Sequence, residues 1–465
     1  MSKQKQKFTF RDYCALSLCY VSLFVFASKD AFSHINSVYL NKIILNPISL
    51  ENIFFISIAL SLLASFTTMI GVSLINHYSL KLTLTFSFLM IIVASLIMMI
   101  LPYLGYAIFA LGIYTVGGSI SYFLIINFVW KMFPFHKGIL CGCGVFASTF
   151  GCFAFRKIFA LLNERVNLYL LIIVIISFVV LVAELLIFRP EEVNVIDTSN
   201  IKCNNLELSK SINDSDDYDI DNTDMEKDSS SDTSNAGAIS RSTHKLKSYY
   251  RKLFKNVFNK KYLYIIISYA LLTSSIYAVS TSYLSYGIIN NISISSYNDI
   301  IFTIALGIFS IVWGVLYDMK GFKKWILFLV IIQTVSVILV NFAFTGKWML
   351  FAVGIFNAIG LSGVIPLFYP MAYKEIGGEY AIDGIAGISF IGGMAKVMIP
   401  MMMKRMWINN LVFSGVYAFS CAFVIGSGFI VNHYIYPDNR KNKEETEKRK
   451  KEWLVQDKLR ELRKE

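Results

Sequence analysis

GVLYDMKGFKKW, residues 314–325, joins two apolar runs. Residues 300–317 before it and 325–345 after it carry no charged side chain. An apolar stretch of about 20 residues is what a helix needs to cross roughly 30 Å of hydrocarbon. The quoted segment therefore reads as a tight loop at a membrane surface, between two spanning helices. Its residues suit that place. Gly314 lets two helices approach closely, and Gly321 permits the reversal of the chain. Asp318 is placed to accept from the N-terminus of a neighbouring helix, while Lys323 and Lys324 hold the loop at the inner surface.

The rest of the chain follows the same pattern. Of 465 residues, 55% are hydrophobic and only 16% charged, whereas a soluble domain carries about a quarter charged residues. Apolar runs recur at 12–40, 51–76, 82–101, 104–130, 138–159, 168–188, 262–289, 296–317, 325–345, 348–372, 381–403 and 408–434. They show no two-residue alternation, which excludes a porin-type barrel. The first run is too long for a signal peptide and has no small-residue cleavage site. The expected fold is all-α: twelve transmembrane helices in two six-helix halves.

The net charge of +12 does not point to nucleic acid. With the N-terminus inside, 34 of the 43 Lys and Arg fall on inner segments and 7 on outer loops. That asymmetry is the positive-inside rule and predicts cytosolic termini. Of the seven Cys, six lie in apolar segments, where they read as small packing residues with free thiols rather than a disulfide or metal framework.

Four regions are expected. Residues 1–188 form the first six-helix bundle, and 262–436 the second. Between them, 189–261 begins with an acidic, Ser- and Asn-rich stretch too poor in apolar residues to pack. It ends in the basic segment HKLKSYYRKLFKNVFNKKY, suited to the anionic inner leaflet. Residues 437–465 form a charged tail, read as a solvated helix.

The spacing Gly314, Asp318, Gly321, Lys323, Lys324 resembles the signature loop of the major facilitator superfamily, which recurs between the second and third helices of each half. In the first half the corresponding stretch is GVSLINHYSLKL (71–82), where only Gly71 and Lys81 echo it. A second stretch, WKMFPFHKGILCGCGVFASTFG (130–151), is similar to the monocarboxylate and oxalate–formate porters. Phe-Pro and a basic residue there precede a helix with small residues in a row, here Gly142, Gly144, Ala147 and Gly151. Small residues at these spacings allow close helix packing. AFSHINSVYLNKI (31–43) is similar to a monocarboxylate-porter segment with a Lys at the place of His34. Two positions depart from that branch: Ser310 stands where related anion porters carry Arg, and Leu306 where monocarboxylate porters carry Asp. The resemblance implies alternating access, a substrate site between the halves, and a loop that acts as a conformational latch.

Charged residues inside the apolar runs are the strongest site signals, because each costs at least about 2.5–3.5 kcal/mol at the bilayer centre. They are Lys29, Asp30, Glu184 and Lys396. Lys396 lies about 18 Å along its span from Gly384, near the midplane. Lys29 and Asp30 lie near the middle of the long first span. Glu184 reads as interfacial and Arg156 as an outer anchor. Substrate contacts are expected from Lys29, Lys396, Tyr277 and Asn357. Thr273 and Ser280 share a face with Tyr277, and Asn127 and Gln333 are further lining candidates. Asp30 and His34 are four residues apart on one face and form the candidate proton-coupling pair. Asp30 has two open roles, keeping His34 protonated or pairing with Lys29.

The reading that follows is a secondary transporter of a small organic anion, monocarboxylate-like, with protons as the candidate coupling ion. The alternatives are a major facilitator carrier of a neutral or zwitterionic solute, such as an amino acid or nucleoside, and a non-transporting sensor or membrane enzyme. No nucleotide-binding loop of the form G-x-x-x-x-G-K-[ST] occurs. No cofactor, metal or nucleic acid is expected. The expected partners are a small substrate, lipid and protons, and the chain is expected to be a monomer.

Overall fold

The computed structural model describes residues 9–31, 50–75, 79–101, 103–188, 260–289, 296–340, 342, 347–376, 381–407 and 412–431. Among the described residues there are twelve long helices and no strand. The first six are α1 (Phe10–Phe26), α2 (Leu50–Ile75), α3 (Leu80–Ile100), α4 (Leu104–Met132), α5 (Lys137–Leu161) and α6 (Val166–Ile187). The second six are α7 (Lys260–Ile289), α8 (Ser296–Lys320), α9 (Phe322–Val340), α10 (Lys347–Ile376), α11 (Ala381–Trp407) and α12 (Val412–Ile430). Over the described residues, eight helices are long and apolar enough to cross a membrane, and three more apolar helices are shorter. The segment 189–259, the tail, His34 and Lys42 lie outside the described residues.

Local chemistry sets the helix ends. Before α1, the Thr9 amide and hydroxyl both donate to the Asp12 carboxylate, at 2.7 and 2.9 Å, so the first turn is capped from within. Ser79 accepts from the Leu82 amide at the start of α3. Between α8 and α9 the chain reverses at Gly321, whose φ of +75° favours glycine.

Two apolar clusters hold the bundle. One runs through α1, α3, α4, α5 and α6, with Phe88, Ile91, Tyr114 and Tyr169 at its centre. The other joins α7 to α12 around Leu272, Leu329 and Phe368, and takes in Phe123, Ile126 and Trp130 of α4 and Cys141 of α5 from the first half. The halves meet chiefly where α8 lies on α5 and where α11 lies on α2. The end of the bundle where α6 stops, α7 starts and Asp318 sits is called here the linker side. Many outward-facing side chains are large and apolar, Phe109, Ile175, Phe178 and Val179 among them, as a lipid-facing surface requires.

Glu184 departs from its expected interfacial place. It is buried, and one carboxylate oxygen accepts from Ser22 of α1 at 2.6 Å. α1 packs across α6 at that depth, so the carboxyl is covered by protein rather than by headgroups.

Candidate functional site

On the linker side the halves are held at one seam. Asp318, at the end of α8, takes the Gly138 amide on one oxygen and the Ile139 amide on the other, each at 2.9 Å. Both amides belong to the first turn of α5, where no intrahelical acceptor exists for them. A carboxylate there also meets the positive end of the helix dipole. Close backbone approach makes this geometry available. Gly138 and Gly314 lie back to back, and a methyl group on either would strike the carbonyl oxygen of the other. One turn deeper, Gly142 lies against the Ser310 backbone in the same way. The Ser310 hydroxyl, with one proton, lies 2.6 Å from the Gly307 carbonyl and 2.9 Å from the Gly142 carbonyl, either of which can accept it. Ser310 is a fully buried seam residue.

The other residues of the loop and of α5 divide by partner. Gly321 is the reversal, Lys324 is exposed, and the Lys323 side chain lies outside the described ones. Gly151 packs on the Phe24 backbone of α1, within the first half. Gly144 faces Leu23 and Ile126 at ordinary packing distance, and Ala147 borders the first-half core. In the first-half counterpart of the loop, Gly71 lies against the Ile120 carbonyl of α4, while residues 76–78 are outside the described ones.

An aromatic contact reinforces the seam. The Lys137 ammonium sits 3.7 Å from the Tyr373 ring centroid, across the halves. Trp130 meets Tyr373 edge-on at 5.2 Å and donates its indole N–H to the Lys137 carbonyl at 3.0 Å.

Beyond this seam, between the halves, lies a cavity of about 280 Å³. Four residues expected at a site from sequence line it together: Lys29, Asp30, Tyr277 and Lys396. The charges of Lys29, Asp30 and Lys396 are near enough to act on one another. The Lys29 ammonium donates to Ser119 of α4 at 2.8 Å. Its stem lies against Gly118, where a larger residue would displace it. Lys396 is exposed to the cavity and makes no hydrogen bond among the described residues. Five tyrosines complete the wall: Tyr114, Tyr122, Tyr269, Tyr277 and Tyr369.

Several expected lining residues lie elsewhere. Asn357 is buried inside the second half, donating to Ser280 at 2.7 Å and accepting from Gln333. Thr273 is buried and donates back to the Tyr269 carbonyl. Asn127 is buried as well and does not line the cavity. These polar groups serve contacts between helices of one half, a use that sequence polarity does not separate from cavity lining. In the other direction, sequence reading passed over the hydroxyl row of α2, namely Ser57, Ser61, Ser65 and Thr68. Its spacing of three to four residues, on one helix face, was the available signal.

A solved structure titled as the major facilitator superfamily proton:xylose symporter XylE, bound to 6-bromo-6-deoxy-D-glucose, superposes with a TM-score of 0.64 at 12% identity. The match covers 90% of this chain and 95% of that one. The fold is the major facilitator fold. The sequence model of the Major Facilitator Superfamily matches residues 290–465. No curated protein matches the chain by sequence. In the terms of the major facilitator fold, the cavity is the space between the two bundles and the Asp318 seam is a closure on one side of it.

Proposed function

We propose that the protein is a secondary active transporter of a small organic anion, working by alternating access, with protons as the candidate coupling ion. The observation that carries this reading is the charge of the cavity. Among the described residues, Lys29 and Lys396 set two positive charges against the one negative charge of Asp30. A monoanion balances that excess, whereas a neutral solute leaves an unmatched charge in a place of low dielectric. Lys396, which makes no hydrogen bond among the described residues, is the main anchor. Lys29 is held by Ser119 and shares Asp30 with its surroundings. The proton path runs through Asp30 and, by sequence, His34 four residues on. Both termini face the cytosol in this reading, so the Asp318 seam closes the inner side.

A zwitterionic solute is the second reading, because Asp30 is a ready partner for an ammonium. The test is counterflow in vesicles reconstituted with the full-length protein, comparing anionic, zwitterionic and neutral solutes. Lys396→Met should abolish anion exchange while the protein still inserts, and Lys396→Arg should retain part of it. Normal anion exchange by the Met variant would remove the main support for the reading.

A further inference from the structure

The hydroxyls of the cavity wall are oriented by their own helices. Ser61 donates to the Ser57 carbonyl at 2.9 Å, and Ser65 to the Ser61 carbonyl at 3.0 Å. Thr68 donates to the Ser65 carbonyl at 2.7 Å, and Thr115 of α4 to the Leu111 carbonyl at 2.8 Å. A hydroxyl has one proton and two lone pairs. Once its proton is committed to the backbone, it offers only acceptors to the space in front of it. The α2 face of the cavity is thus a row of acceptors. Across it stands the donor: Ser65 touches Gly393 of α11, and Lys396 lies three residues further along the same helix. The cavity therefore has a cationic side and an acceptor side within one small volume. An alkyl carboxylate satisfies the first and leaves the second dry and unpaired, at a cost for every acceptor stripped of water.

We infer that the transported anion is a carboxylate that itself carries hydroxyl donors, whose carboxylate meets Lys396 while its hydroxyls meet Ser61, Ser65 and Thr68. This rests on the anion reading above and narrows it. The charge balance favours hydroxyl donors, since a hydroxycarboxylate keeps the single negative charge that the cavity excess asks for.

The experiment measures affinity by ligand-induced thermal stabilisation of the full-length protein purified in detergent. Two series of equal carbon number are compared: propionate, lactate and glycerate, then hexanoate and gluconate. Each satisfied donor should tighten binding roughly two- to tenfold, so glycerate should exceed propionate and gluconate exceed hexanoate. Alanine tighter than lactate would favour the zwitterionic reading and overturn both the hydroxycarboxylate inference and the anion reading beneath it. Ser65→Ala should lower the ratio of hydroxylated to plain acid affinity, whereas a general folding defect lowers both members alike. Thr68→Val gives the same reading if the first variant does not fold. Plain acids binding as tightly as hydroxylated ones, or a ratio unchanged in both variants, would overturn the inference and leave the anion reading standing. Xylitol binding as well as any acid, with no loss in Lys396→Met, would overturn the anion reading itself.

Discussion

Asp318 joins the two halves through two backbone amides and no side chain. Charge-assisted bonds of this kind contribute about 1.5–3 kcal/mol, and any motion that parts α5 from α8 there would break both. Asp318→Asn keeps one acceptor and loses the charge. Transport should slow about tenfold or more, with substrate affinity little changed, as measured by initial rates over a range of solute concentrations. A large affinity loss at normal maximal rate would place Asp318 in the binding site instead. At this scale the sequence was legible where a residue is costly. Lys29, Asp30 and Lys396 stand out because a charge in hydrocarbon demands a reason, and the structure gathers all three at one cavity. Asn357 and Ser280 were misplaced because an amide or hydroxyl is cheap enough to serve a helix contact. The α2 serines escaped notice for the same cause: bonded to their own backbone, they cost little and signal little.

The helices themselves were legible nearly to their ends, since span length and apolar content are both fixed by the bilayer. Which helix touches which was not, apart from the glycine positions. Gly142 and Gly151 were both expected at tight packing, yet they face different neighbours, α8 for the first and α1 for the second. Only the three-dimensional arrangement separates a glycine between the halves from a glycine inside one half. The two should respond differently to substitution. Gly142→Val forces a branched side chain into the Ser310 backbone, and overpacking of this kind costs about 1–3 kcal/mol. It should loosen the α5–α8 seam without unfolding either half. Cys141, buried beside it with its thiol 3.9 Å from the Ile365 carbonyl, is the reporter. In a background where the other cysteines are replaced, a maleimide should label Cys141 roughly tenfold faster in the Gly142→Val variant. An unchanged rate would mean that the seam is held by contacts elsewhere.

At the scale of the molecule, the two halves meet through close glycine contacts, the Asp318 carboxylate and several ring pairs, Trp130–Tyr373, Phe123–Tyr369 and Phe66–Phe390 among them. The twofold layout was readable from the polar break between the sixth and seventh spans. The side on which the cavity is shut was not, because both arrangements satisfy the same sequence. The ring group carries a consequence of its own. Trp130 is almost fully buried, with its indole N–H on the Lys137 carbonyl and its ring edge-on to Tyr373 of the other half. Any motion that parts the halves there strips Tyr373 from the indole and lets water in. The emission of Trp130 should therefore shift to the red as the linker side opens, for instance in the Gly142→Val variant, and Trp130→Phe should erase that shift while leaving the other five tryptophans as a steady background. The protein thus holds a built-in optical reading of its own state, available without any attached dye.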